Sequence, residues 1–375
     1  MKKILLWILV LSLLLCSLSG CASEPSEAPT VPLSLDYRVA MITDYGDITE
    51  VGYNQVTYEA GRDWCAKYGI PYSYYKPTGD STAERVASIE QAIGEGANVL
   101  LLPGYSFGDA IVETAEHYPE VYYIALDICT GDYGDYTLPA NVFSAVYHEE
   151  IAGFLVGYAA VKMGYKDLGF MGGMAVPAVI RYGFGFIQGA DCAAEELGVH
   201  VSLKYAYGNM FFCEGSAVEG ADQWFREGTE VIFFCGGSDY SNMNNVERSY
   251  DMKIIIPDID DQEHIDGLYG EGTALTSAMK NFPATVSWAL SKLILENDWD
   301  SLGGTMPNLG LVSSTELEKN HIALPDSTQW NDSFTREDYV DMVEAILNGT
   351  VVVDSSIEQL PDTTNVTVMD LGYLK

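Results

Sequence analysis

The stretch Asp167–Gly198 reads DLGFMGGMAVPAVIRYGFGFIQGADCAAEELG. A short apolar run, Leu168–Met171, meets Gly172-Gly173, and a helix-forming segment extends from beyond Pro177 to Glu196. Strand, tight turn and helix in this order place a ligand site at the carboxyl edge of a parallel sheet. The two glycines allow a positive φ or a close backbone approach. Pro177 suits the first helical turn, where its missing N–H costs nothing. One such unit is common. Several more in the same order specify an architecture.

They are present on both sides. Upstream, strands are expected at Arg38–Thr43, Pro71–Tyr75, Asn98–Leu102 and Val121–Leu126, with helices at Gly52–Tyr68, Thr82–Glu95 and Phe107–His117 between them. Val86, Ile89, Ala92 and Ile93 give the second helix an apolar face at the helical period. Gly131–Pro139, rich in Gly, Asp and Tyr, reads as a loop ahead of a switch between lobes. Val142–Val146 is strand-like, and Glu149–Met163 is a small-residue helix suited to close packing. A second alternating series follows: Ala178–Leu197, His200–Ala206, Ser216–Glu227, Val231–Phe234, Tyr240–Tyr250 and Lys253–Pro257. Strands alternating with helices of this length make parallel sheets with right-handed crossovers. The expected fold class is therefore α/β, with two lobes, each a parallel sheet flanked by helices, around a cleft. Thr273–Ala278, Phe282–Glu296 and Pro307–Val312 are too few for a third domain and are expected to complete both lobes. No internal sequence repeat is evident.

The start of the chain sets its address. Lys2 and Lys3 precede the apolar run Ile4–Leu15, and Leu18-Ser19-Gly20-Cys21 follows. That pattern is a secretory signal, and its ending resembles a bacterial lipobox, implying cleavage before Cys21 and a diacylglycerol on its sulfur. Residues 1–20 are thus a lipoprotein signal peptide and 21–35 a flexible, lipid-anchored tether, which puts the protein on the extracellular face of the cell membrane. About 340 residues remain. The chain has 54 acidic against 19 basic residues, a net charge of −35. Such a balance opposes nucleic acid or an anionic membrane surface as partner, so the membrane is met through the lipid alone. Cys65, Cys129, Cys192, Cys213 and Cys235 are widely spaced and form neither a disulfide scaffold nor a zinc motif.

Five blocks, in order, resemble the basic membrane protein family of substrate-binding lipoproteins, which serve ABC importers and bind purine nucleosides. GDITEVGYNQ (Gly46–Gln55) is similar to its Gly-x-x-Asp-Asp-x-Ser-Phe-Asn-Gln block. Leu168–Gly189 is similar to its Gly-Gly block, and FLVGYAAVKM (Phe154–Met163) fits the helix before that block. IIPDIDDQ (Ile255–Gln262) and LTSAMK (Leu275–Lys280) resemble its last two motifs. Here Thr49 and Glu50 replace the paired aspartates, Gly52 the serine and Tyr53 the phenylalanine. The spacing from Asp258 to Gln262 is one residue longer. The resemblance implies a periplasmic-binding-protein type I fold with interlobe crossovers. Lobe 1 would take 36–145 plus roughly 258–305, lobe 2 would take 146–257 plus roughly 306–350, and 351–375 would form a C-terminal segment. It also implies a purine nucleoside ligand, ABC permease and ATPase partners, and neither cofactor nor metal.

Read for that chemistry, Tyr53 matches the stacking ring, with Tyr182 or Phe211 as the opposing face and ordinary core packing as the rival reading of each. Asn54 can read a purine edge or cap a turn. Asp44 and Asp127 close apolar strands where ligands gather in such sheets. Asp258 and Lys280 suit a vicinal diol, a carboxylate accepting and an ammonium donating; Asp260 and Asp261 share that candidacy. Gly237 lets backbone amides approach. The cluster Asp258, Asp260, Asp261, Glu263 and His264 lacks the spacing of a calcium loop. No nucleophile elbow, Walker loop or Cys–His pairing stands out, so no catalytic residue is expected. Two alternatives remain open: the same fold with a sugar or signalling ligand, and a surface glycoside or nucleoside hydrolase using a carboxylate pair.

Overall fold

The computed structural model describes residues 36–49, 52–208, 216–236 and 251–374. The expected signal peptide, the expected tether with Cys21, the helix expected at Tyr240–Tyr250, Phe211, Cys213 and Gly237 lie outside the described residues. Two sheets organise the rest. The first contains β1 (Val39–Ile42), β2 (Tyr72–Tyr75), β3 (Val99–Pro103), β4 (Tyr122–Leu126), β5 (Val142–Tyr147) and β11 (Asn308–Leu309), in the order β11-β5-β4-β3-β1-β2. The second contains β6 (Asp167–Gly172), β7 (Val201–Tyr207), β8 (Val231–Cys235), β9 (Lys253–Asp258), β10 (Ala274–Lys280), β12 (Ile322–Ala323) and β13 (Val366–Tyr373), in the order β12-β10-β9-β8-β6-β7-β13. Every pairing between named strands is parallel except that of β10 with β12.

The strands VAMI, VLLLP and VIFFC are buried at every position. Continuous apolar strands of this kind require helices on both faces. In the first lobe these are α1 (Tyr53–Tyr68), α2 (Thr82–Gly94), α3 (Gly108–Thr114), α4 (Thr130–Tyr133) and, later, α9 (Phe282–Leu290). In the second they are α5 (Glu149–Lys162), α6 (Pro177–Leu197), α7 (Ser216–Arg226), α8 (Gln262–Tyr269) and α10 (Arg336–Leu347). The helix expected after Pro177 forms and ends at Gly198, whose φ of 64° suits glycine. Although the sequence shows no repeat, the structure does. The orders β2-β1-β3-β4-β5 and β7-β6-β8-β9-β10 are the same wiring used twice.

The tightest contact is between α5 and α6. Gly153 and Gly157 on one helix face Gly185 and Gly189 on the other. A Cβ at Gly153 would lie 2.1 Å from the Tyr182 carbonyl oxygen, and one at Gly185 would lie 2.0 Å from that of Glu150. The backbones touch directly, an approach that only glycine permits.

The expected return to lobe 1 near residue 258 is corrected. Asp258 ends β9, and β10 continues the second sheet to Lys280, because the apolar run Ala274–Ala278 pairs with β9. The chain returns with Asn281 and α9, which packs on α1 with Trp64 Nε1 donating to Ser291 Oγ at 3.2 Å. It leaves again after β11, which pairs with β5. The C-terminal segment is described to residue 374. Its strand β13 extends the second sheet beside β7, and the Asp191 carboxylate accepts from the backbone N–H groups of Thr364, Asn365 and Val366.

Among the described residues, three passages therefore connect the lobes: Tyr147 to Glu149, Lys280 to Phe282, and the stretch between β11 and β12. His321 sits where two of them meet. Its N–H donates to the Gly310 carbonyl, its own carbonyl accepts from Asn281, and its Nδ1 lies 3.0 Å from Thr285 Oγ1. Burial lowers the imidazole from 6.5 to about 4. A histidine depressed by folding contributes stability that is complete above 6.5 and lost as pH falls towards the folded value. The wild type should lose about 2 kcal/mol from this group between neutrality and about pH 5. Denaturant unfolding of His321→Asn over that range should show a shallower acid slope; an unchanged slope refutes the assignment.

Candidate functional site

The repeated wiring brings equivalent strand ends face to face. Asp127 follows β4 in the first lobe, and Asp258 ends β9, its counterpart in the second. Both hold a left-handed φ, 62° and 69°, shared among described non-glycine residues by Asn297 alone. Such backbone is costly for residues with a Cβ and collects at functional sites.

Between them lies Lys280, the last residue of β10. Its Nζ is 2.8 Å from both carboxylate oxygens of Asp127, 3.3 Å from Asp258 Oδ1 and 3.4 Å from Glu149 Oε1. The rings of Tyr147 and Tyr182 flank it at 5.7 and 5.5 Å from their centroids. The lysine side chain is 3% exposed, while Asp127 and Asp258 keep 29% and 34%. The carboxylates thus retain an open side. Burial alone would lower the ammonium pKa, but Asp127, Asp258 and Glu149 outweigh it and hold the group well above its ordinary value. Asp127 is pushed up to about 6, first by burial, with Asp258 and Glu149 adding to what Lys280 opposes. One cation shared among three carboxylates explains both directions.

A second cluster forms where β1 runs into α1. Asp44 Oδ1 accepts from the N–H groups of Tyr45 (2.5 Å) and Gly46 (2.8 Å) and from Asn54 Nδ2 (2.7 Å), while Oδ2 accepts from the Tyr53 hydroxyl. Asn54 Oδ1 accepts in turn from the Asp44 N–H. Burial would raise the Asp44 pKa, but these hydrogen bonds hold it below the usual range. Burial pushes the Tyr53 hydroxyl far up, with Asp44 and, more weakly, Tyr105 and Asp127 adding to it. Gly104, at φ 100°, lies against the Tyr53 ring, where a Cβ would come within 3.1 Å.

Of the residues singled out in the sequence, Asp127, Asp258, Lys280 and the Tyr182 hydroxyl come together directly. The Tyr182 reading is corrected: its ring is 2% exposed and packs edge-on to Phe233, so it offers no stacking face. Its hydroxyl donates to Asp258 Oδ1 at 3.0 Å and lies 3.2 Å from the Ala278 carbonyl. Asp44 and Asn54 bond to one another, and Asp44 braces Tyr53, with Asn54 lying in the first turn of α1. Asp260 accepts from Ser327 Oγ at 2.7 Å. Asp261, 3% exposed, precedes α8. Among the described residues no cluster of three His, Cys, Asp or Glu side chains could hold a metal ion. Sequence reasoning missed Glu149 and Arg181, whose Nε donates to Glu149 Oε2 at 2.6 Å. Glu149 begins α5 two residues after β5, and the strand-end rule applied at Asp127 would have found it.

A nucleoside-binding protein of an ABC transporter from Lactococcus lactis, BmpA, is 24% identical over 260 residues, covering 66% of this chain and 71% of that one. A Pyrococcus horikoshii protein described as an uncharacterized lipoprotein is 23% identical over 247 residues, 64% of this chain and 59% of its own length. In fold, a solute-binding protein of an ABC transporter from Conexibacter woesei superposes with a TM-score of 0.64 at 19% identity, covering 85% of this chain and 99% of that one. The two parallel-sheet lobes are those of periplasmic-binding-protein-like structures. Among the described residues no helix is long and apolar enough to cross a membrane. Residues 37–355 match the family described as ABC transporter substrate-binding protein, PnrA-like, and the chain belongs to that family.

Proposed function

We propose that the protein captures a purine nucleoside between its lobes and hands it, chemically unchanged, to the permease and ATPase of an ABC importer. The supporting observation is Lys280, which reaches Asp127 from one sheet and Asp258 from the other at once. A ribose diol matches that arrangement, with two hydroxyls donating to Asp258 and accepting from the ammonium. Asp127 accepts a base N–H, and the Tyr53 ring supplies a stacking face. The nucleoside-binding name of the L. lactis relative points the same way. Closure follows from tighter binding by the closed form, and Cys21 carries the lipid that keeps the protein at the cell surface. No catalytic group is assigned.

Calorimetric titration of the delipidated protein with inosine, guanosine and adenosine tests this directly. Saturable heat with nucleosides, and weaker binding of the free bases and ribose, is the expected result. No heat with any nucleoside refutes it. Tyr53→Ala should weaken inosine binding at least about tenfold through lost stacking, whereas unchanged affinity would return Tyr53 to a packing role.

A further inference from the structure

Lys280 is one end of a longer chain of charges. Glu149 contacts Lys280 at 3.4 Å and Arg181 at 2.6 Å. Arg181 Nε lies 3.9 Å from Glu150 Oε2, and Glu150 Oε1 lies 2.6 Å from His148 Nδ1. Signs alternate along the sequence His148–Glu150–Arg181–Glu149–Lys280–Asp127/Asp258. The inner carboxylates are buried, at 2% and 4% side-chain exposure, while His148 is open to solvent at 35%. His148 is also the pivot of the first passage between lobes. Its N–H donates to the Leu309 carbonyl of another passage, and its ring packs on Gly310. The charged groups around it are Glu149 and Glu150 of α5 and Arg181 of α6; Leu309 and Gly310 bring no charge.

We propose that Glu149, Arg181 and Glu150 are positioning residues that hold Lys280 between the aspartates of the two lobes, and that His148 sets their arrangement from the hinge. With His148 protonated, Glu150 has its own cation and Arg181 stays on Glu149, which leaves Lys280 to Asp127 and Asp258. With His148 neutral, Glu150 competes for Arg181, and the released Glu149 draws Lys280 away from the aspartates. Glu150 raises the imidazole pKa above its ordinary value by hydrogen bonding, so the exchange falls above the usual histidine range. Because linkage is reciprocal, occupancy of the cleft and protonation of the hinge histidine must influence each other.

The first test needs no ligand. NMR titration of the five histidines, with the His148 signal assigned by its loss in His148→Gln, gives its pKa in wild type, Glu149→Gln and Asp127→Asn. Both variants should lower it by about 0.3 unit or more, and the exposed Glu196→Gln should not. An unchanged His148 pKa in both overturns the proposal; Asp127→Asn alone decides it should Glu149→Gln fail to fold.

The second test rests on the nucleoside reading. Inosine affinity should fall about threefold or more as His148 deprotonates, a step absent in His148→Gln, while the separate change near 6 from Asp127 persists. A step that survives in His148→Gln overturns the proposal. Failure of inosine to bind at any pH would sink the nucleoside assignment and leave the NMR result to decide the relay.

Discussion

Lys280→Met should cost about 3–5 kcal/mol of stability at neutral pH and weaken the proposed nucleoside binding roughly 10- to 100-fold. The stability loss comes from what is left behind. Asp127, Asp258 and Glu149 all lie within 3.4 Å of the same ammonium. Removing it leaves carboxylates from both lobes facing one another in a poorly solvated site. Methionine replaces the packing between Tyr147 and Tyr182 but none of the charge. Because Asp127 takes up a proton near 6 even with the lysine present, the deficit should narrow on acidification to about pH 5. Denaturant unfolding at both pH values reads this. A loss below about 1 kcal/mol, or one that grows with acid, would mean that the lysine is an incidental partner.

Gly185→Val should be nearly as damaging without touching a charge. The added Cβ would lie 2.0 Å from the Glu150 carbonyl oxygen and 2.9 Å from the Phe154 nitrogen, both backbone atoms that cannot rotate aside. The helices α5 and α6 must separate, and about 3 kcal/mol or more should be lost. Separation also moves Glu149 and Glu150 away from Arg181, so the site loosens with the packing. Gly94→Ala in α2, where a Cβ meets nothing within 4 Å, should change stability little. Equal melting temperatures for the two variants would show that the helix contact carries no such weight.

Much of this protein is legible in one dimension. The apolar runs that became β1, β3, β6 and β8 are buried on both faces, so no other strand pattern fits them. Pro177 and Gly198 bracket α6 by backbone chemistry alone. The strand-end rule pointed to Asp127, Asp258 and Lys280, and the structure brings these three side chains together.

Other features depend on partners that local pattern does not reveal. Strand β13 is mostly exposed and is held by Asp191, which lies 174 positions from Asn365 in the chain. Side-chain direction was equally hidden. Whether Tyr182 shows the cleft its ring or its hydroxyl depends on Phe233 beside it and Asp258 beyond it.

Sequence by itself determined two α/β lobes and the strand ends that carry charge, since burial on both faces and the direction of parallel strands are local, periodic constraints. Only tertiary structure decided that Asp44 braces Tyr53, that β10 stays with the second lobe, and that Glu149 and Arg181 stand behind Lys280. Those outcomes rest on which distant groups satisfy one another's charges and hydrogen bonds, and that is settled when the chain packs.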